Sequence, residues 1–402
     1  MTRSTRRLLT VLLIVLGLVA TGCGGEDGTA TPADDGTAAD SAGTAEPQAP
    51  ADEPTDGTEA AADAELTPVS LQLQWFTQAQ FAGYFAALDQ GFYSDAGLDV
   101  EILEGGVDIV PQSVLASGGA DFAIAWVPKA LVSIEEGANI TNIAQVFQRS
   151  GTLQVALADS GIESVDDLAG TNVGNWGFGN EFELLAGLRQ AGLDPDTDVT
   201  LAQQAFDMLA LLSGDIDAAQ AMTYNEYAQV LETVNPDTGQ LYTEDDLTVI
   251  DWNEEGTAML QDAVWADAAR LEEDEAYRDA SVAFVEASLR GWAYCRDEFD
   301  ACVDIVLENA PTLGESHQAW MLNETNKLIW PSPGGVGLMD QALWDQTVEV
   351  STSEEIISAA PDDDVYRTDI AEEALERLAE AGVDTTGESY EPVTVELREG
   401  GE

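Results

Sequence analysis

Four short segments bring together the residue types that hold small planar molecules: large rings, amides and a carboxylate. The first is Trp75-Phe76, with Gln80, Phe81 and Tyr84 following at helical spacing. The second is Ala125-Trp126-Val127-Pro128-Lys129, where Pro128 fits the first turn of a helix. The third is Asn175-Trp176-Gly177-Phe178-Gly179-Asn180-Glu181, and the fourth is Thr223-Tyr224-Asn225-Glu226-Tyr227. Aromatic rings stack on flat ligands with about 0.5–1.5 kcal/mol beyond the burial of area. Amides read ring edges, and a carboxylate, which offers acceptors only, selects donor-rich rings. The candidate ligand-binding set is therefore Trp75, Gln80, Tyr84, Trp126, Asn175, Trp176, Asn180, Tyr224, Asn225 and Glu226. Each ring could instead be core packing, Glu226 could be only a helix cap, and Lys129 could be a surface cation. Asp251-Trp252-Asn253 is a weaker candidate.

The third segment also raises the question of an anion. Glycines let a backbone approach a ligand closely, and helix starts hold phosphates. The glycine spacing matches neither a dinucleotide fingerprint nor a phosphate loop, and no Lys follows. Glu181 and Glu183 already occupy the positive end of the following helix. The pattern predicts a neutral or cationic ligand. Catalysis has little to work with. The one histidine, His317, lies in a helical pattern away from any plausible nucleophile, and no second cysteine pair completes a zinc site. No catalytic residue, metal or cofactor is expected.

Strands alternating with helices must position these segments. Val69 to Trp75 alternates apolar and polar residues, as a half-buried strand does. Further strands are predicted at 99–103, 121–126, 140–147 and 153–157, then at 172–176, 199–203, 216–222 and 247–252. Helical patterns separate them, and from Val264 onward the chain reads as mostly helical. This is an α/β pattern with parallel-rich sheets. It predicts two α/β lobes with a hinge, a central ligand cleft and a helical C-terminal extension on the first lobe. The expected divisions are 67–152 for the first part of lobe 1, 153–250 for lobe 2, and 251–402 for the return to lobe 1. The strand at 247–252 is read as the return strand, with crossovers near Gly151 and Trp252. Clefts between lobes, at the carboxyl ends of strands, are where small molecules bind.

The N-terminus points to export. Arg3, Arg6 and Arg7 precede an apolar run of about 13 residues, short of the roughly 20 a membrane span needs, and then small residues before Cys23. Residues 1–22 read as a signal peptide. Cys23 reads as a lipidated first mature residue, although an ordinary cleaved signal beside a chance cysteine has the same outline. Residues 23–66 follow as an acidic tether without Lys, Arg, Phe, Tyr or Trp, too polar to offset its ordering entropy. Acids number 76 against 14 Lys and Arg, a net charge of −62. That excludes the basic footprint of nucleic-acid binding. It fits a solvated acidic shell, as in proteins from salty habitats. With Cys23 assigned to lipid, Cys295 and Cys302 remain, seven apart, as a local disulfide or as two buried thiols.

Several of these residues resemble one family. Gln74-Trp75-Phe76-Thr77-Gln78-Ala79-Gln80-Phe81-Ala82-Gly83-Tyr84 is similar to the opening of the thiamine-pyrimidine-precursor binding proteins, the ThiY-like and SsuA-like group. So are Gly91-Phe92-Tyr93, Gly97-Leu98-Asp99-Val100, Gly105-Gly106, Asp166-Asp167-Leu168-Ala169-Gly170 and Asp215-Ile216-Asp217-Ala218-Ala219. The resemblance spans roughly residues 69 to 350. It implies a type II periplasmic-binding fold, an ABC importer permease as partner and a flat heteroaromatic ligand. The chain would then be a monomeric, extracytoplasmic lipoprotein anchored to the membrane through Cys23. The ligand expected is a thiamine-related aminopyrimidine, with riboflavin, another heterocycle or an alkanesulfonate as alternatives. A fungal pyrimidine synthase shares this scaffold, but its pattern includes a cysteine cluster and an active-site histidine that this sequence does not reproduce.

Overall fold

The computed structural model describes residues 66–362 and 364–401. The signal peptide, Cys23 and the tether up to residue 65 lie outside the described residues. Ten strands form two sheets: β1 Thr67–Gln72, β2 Leu98–Leu103, β3 Phe122–Trp126, β4 Ile140–Gln145, β5 Thr152–Leu157, β6 Asn172–Asn175, β7 Thr200–Gln203, β8 Ala218–Met222, β9 Leu247–Asp251 and β10 Asp262–Asp267. The first sheet has the order β2-β1-β3-β10-β4 and the second β7-β6-β8-β5-β9. Each begins with three parallel strands and then takes one antiparallel strand from across the crossover, β10 in the first sheet and β5 in the second. The second sheet is one continuous stretch, β5 to β9, and the first is completed by chain that returns after it, which is the periplasmic-binding fold.

Central strands are buried, and mostly apolar, along their whole length because both faces are covered. β3, Phe-Ala-Ile-Ala-Trp, is buried throughout, and so is β8, Ala-Ala-Gln-Ala-Met. The largest cluster of buried apolar residues joins β1 and β3 to the helices Ala82–Asp89 and Glu275–Asp297, through Phe81, Tyr84, Phe122, Phe284 and Trp292. Asp274 starts the long helix by accepting from the backbone N–H groups of Ala276 and Tyr277. Where that helix ends, Cys295 and the following helix's Cys302 are joined as a disulfide, both buried.

Two elements differ from the sequence reading. Residues 247–251 pair with β5 inside the second sheet and do not return to the first. The return strand is β10, within the stretch read as helical from Val264. Its sequence, Asp-Ala-Val-Trp-Ala-Asp, holds one β-branched residue, two alanines and two aspartates, so local propensity leans away from a strand. Pairing on both sides, with β3 and β4, overrides that preference.

Candidate ligand-binding cleft

The carboxyl ends of β1, β3, β6 and β8 face a cleft of about 740 Å³. Local geometry aims each strand end. After β1 the chain turns against Gly105, whose N–H donates to the Trp75 carbonyl at 3.0 Å. A Cβ on Gly105 would collide with the backbone of Leu73–Trp75, so only glycine lets that backbone settle. β3 runs directly into the helix Val127–Glu135, which places Trp126 and Lys129 one turn apart. After β6, Gly177, Phe178 and Gly179 all take positive φ, and this left-handed turn leaves Phe178 83% exposed beside the cleft. Positive φ is an outlier for a bulky residue.

Two sets of contacts cross the cleft. The Phe206 ring sits 4.8 Å from Trp75, edge to face, and 5.8 Å from Trp176, stacked. Lys129 Nζ donates to Asn180 Oδ1 at 2.6 Å and lies 4.8 Å from the centre of the Trp126 ring. Burial pushes the lysine down to about 8, against the pull of Glu181 and Asp262. Asn180 also donates to the Gly177 carbonyl at 2.7 Å, so its side chain is fixed from both sides.

Behind the first lobe's wall lies a carboxylate. Asp262, at the start of β10, is 2% exposed and lies opposite Trp126 in the antiparallel register. Its Oδ1 accepts from Trp126 Nε1 at 2.9 Å and from Gln74 Nε2 at 2.5 Å, and its Oδ2 accepts from Gln80 Nε2 at 3.0 Å. Gln78 Nε2 in turn donates to Gln80 Oε1 at 2.9 Å. Burial pushes the Asp262 carboxyl up to about 7, although those three donors and Lys129 pull it down.

On the second lobe, Glu226 Oε2 accepts from the Met222 N–H at 3.0 Å and Oε1 from Asn225 Nδ2 at 2.9 Å. Asn225 Oδ1 is 3.0 Å from His317 Nε2, and His317 Nδ1 is 3.0 Å from Glu232 Oε2. The sole histidine therefore supports the Asn225–Glu226 turn from behind the cleft. Two segments pass between the sheets, 146–151 and 252–261. They are tied by Gln261, which accepts from the Gly151 N–H at 2.8 Å and donates to Ser150 Oγ and Thr152 Oγ1 at 3.0 and 2.7 Å. Glu183 closes this knot by accepting from Ser150 Oγ at 2.9 Å and from the Met259 N–H at 2.6 Å.

The NMT1/THI5-like family model matches residues 78–301, more than half of the chain. The chain belongs to the NMT1/THI5-like family. It is 27% identical over 328 residues to the riboflavin-binding protein RibY of Chloroflexus aurantiacus, covering 79% of this chain and 89% of that protein. It is 23% identical over 296 residues to the formylaminopyrimidine-binding protein of Halalkalibacterium halodurans, covering 71% and 85%. Among solved structures it is similar to the periplasmic aliphatic sulphonate binding protein SsuA of Escherichia coli. There the TM-score is 0.52 at 16% identity, over 83% of this chain and 94% of that one, a likeness of fold.

Of the residues singled out from this family member's sequence, Trp75, Gln80, Trp126, Trp176, Asn180, Tyr224, Asn225 and Glu226 line the cleft. Tyr84 does not. It is 1% exposed on the helix face that packs against Glu275–Asp297, with its ring 5.8 Å from Trp292. Asn175 is buried at the end of β6 and is also absent from the lining. Trp252 is a core residue of the second lobe. Gln74, Phe206 and Gln112 line the cleft without having been singled out. Gln74 is within reach of the pattern, since it is the last polar residue of the alternating run Val69–Trp75, just beyond β1. Phe206 follows a short, partly exposed strand and carries no such signal.

Proposed function

We propose that the protein captures a small, flat, neutral or cationic nitrogen heterocycle and delivers it to an ABC importer. The observation that carries this is the one cleft lined by Trp75 and Trp126 from the first lobe and by Trp176 and Phe206 from the second, interleaved with the amides of Gln74, Gln80 and Asn180. Its volume lies within the usual range of roughly 300–1,000 Å³ for small-ligand sites. Lys129 is the only basic residue among the described lining residues, and its ammonium is already held by Asn180. Asp108, Glu136 and Glu226 line the same cleft. That balance disfavours a sulfonate. The names of the two curated relatives, binders of a formylaminopyrimidine and of riboflavin, support the same ligand class. A thiamine-related aminopyrimidine is the first choice. A flavin is the second, favoured by a cavity larger than one pyrimidine ring requires.

Isothermal calorimetry with 4-amino-5-aminomethyl-2-methylpyrimidine and with riboflavin tests the reading. Binding of one of them with micromolar or tighter affinity is expected, with quenching of tryptophan fluorescence. No heat from either at millimolar concentration refutes it. The extracytoplasmic, lipid-anchored placement rests on the basic, apolar and small-residue order before Cys23. Fatty-acid labelling of the expressed chain, lost in Cys23→Ser, is its test.

A further inference from the structure

We infer that Asp262 is a positioning residue that sets the hydrogen-bonding polarity of the cleft, so that Gln74 presents an acceptor and selects ligands with an N–H on the facing edge. This deepens the heterocycle reading and rests on it.

The argument is a count of donors and acceptors. An ionised carboxylate accepts and cannot donate. The Trp126 indole N–H can only donate, and it takes one place on Oδ1 at 2.9 Å. Gln80 gives its Nε2 to Oδ2, and its own Oε1 is filled by Gln78. Gln74 meets the same carboxylate at 2.5 Å, so the atom turned toward it must be Nε2. Its Oε1 is then forced the other way. Gln74 is a half-buried lining residue, and that oxygen has no donor among the described residues. A free amide at a cleft wall could show either end to a ligand. This one is locked with its oxygen outward by a group the ligand never touches. Buried polar groups left unmatched cost more than matched ones gain, so a fixed acceptor discriminates strongly against an edge without a donor.

The test uses matched probes at pH 8, where the Asp262 carboxyl, raised to about 7, is mostly ionised. One pair is 4-amino-5-hydroxymethyl-2-methylpyrimidine and its 4-methoxy analogue. The other is riboflavin and 3-methylriboflavin. The wild-type chain is expected to prefer the N–H member of at least one pair by tenfold or more. Gln74→Met, which keeps the length and removes the acceptor, should bring the preference below about threefold. Asp262→Leu, similar in shape, frees Gln74 to turn and should do the same, with folding checked by thermal melting. Should Asp262→Leu fail to fold, Gln74→Met still decides. A wild-type chain that binds the probes but shows no preference within either pair, or a preference that survives in Gln74→Met or in folded Asp262→Leu, overturns the inference alone. Binding of none of the four probes sinks the heterocycle reading and this inference together.

Discussion

Glu183 offers a perturbation whose sign and size can both be worked out. It stands in the first turn of the helix Phe182–Gln190, fully buried, and joins both segments that pass between the sheets. Burial raises its carboxyl from 4.5 to about 8, outweighing its hydrogen bonds. Between those two pH values the folded chain holds a proton that the unfolded chain has released. Stability from this group is therefore complete below about pH 4.5 and is lost as pH rises toward 8. The loss approaches ~1.4 kcal/mol per pH unit, or about 4–5 kcal/mol over the window. Glu183→Gln removes the titration. It also introduces a constant penalty, because the new amide N–H meets Ser150 Oγ. That oxygen already accepts from the Thr152 N–H and from Gln261 Nε2, both at 3.0 Å. An unmatched buried donor costs about 1–3 kcal/mol. The variant should thus be less stable than wild type at pH 5 and should overtake it by pH 8. Urea unfolding of both chains at pH 5, 6, 7 and 8 measures the difference, in 1 M salt to screen the net charge of −62. A difference that stays constant to within about 0.5 kcal/mol across that range refutes the reasoning.

Three further substitutions probe the cleft itself. Phe206→Ala removes the ring between Trp75 and Trp176 and should weaken a heterocyclic ligand by about 1–3 kcal/mol in calorimetry, with little change in melting temperature since Phe206 is 37% exposed. Glu226→Gln should weaken an amine-bearing ligand by roughly 1.5–3 kcal/mol, and unchanged affinity with a lowered melting temperature would leave Glu226 as a turn-closing residue only. Phe178→Gly relieves a left-handed backbone worth about 1–3 kcal/mol while giving up little burial, so the melting temperature should rise, and a fall would show that the ring is held in place by more than its turn.

The parts of the fold that could be read from the sequence are those whose local pattern agrees with their surroundings. β1 alternates because its faces differ in burial, and β3 is an unbroken apolar run because it is covered on both sides. β10 departs from its sequence pattern for a converse reason. A hexapeptide of two aspartates, two alanines, Val and Trp, followed by helices, carries little strand signal of its own, and it becomes a strand because β3 and β4 offer it both edges. β9 was recognised as a strand but given to the wrong sheet, since nothing local to Leu-Thr-Val-Ile-Asp names its partner, which is β5. Tyr84 was misplaced by the same limit. Helical spacing from Trp75 and Gln80 shows which residues lie on one helix, not which face meets the cleft and which meets Trp292.

The site divides along the same line, and the division explains where its chemistry comes from. Rings and amides at strand ends can be read from the sequence because they sit directly after the strands that aim them. Asp262 cannot be picked out by composition, being one of 76 acids. What distinguishes it is a register, Asp262 opposite Trp126, between residues 136 positions apart. The return of the chain to the first sheet creates that register. A first lobe built only from residues 67–145 would carry Gln74, Gln80 and Trp126. It would lack the acceptor that orients all three. The returning strand thus completes the sheet and, at its first residue, fixes which ends of the wall's amides a guest can meet. The connection that makes the fold two-lobed is also the one that gives the cleft its polarity.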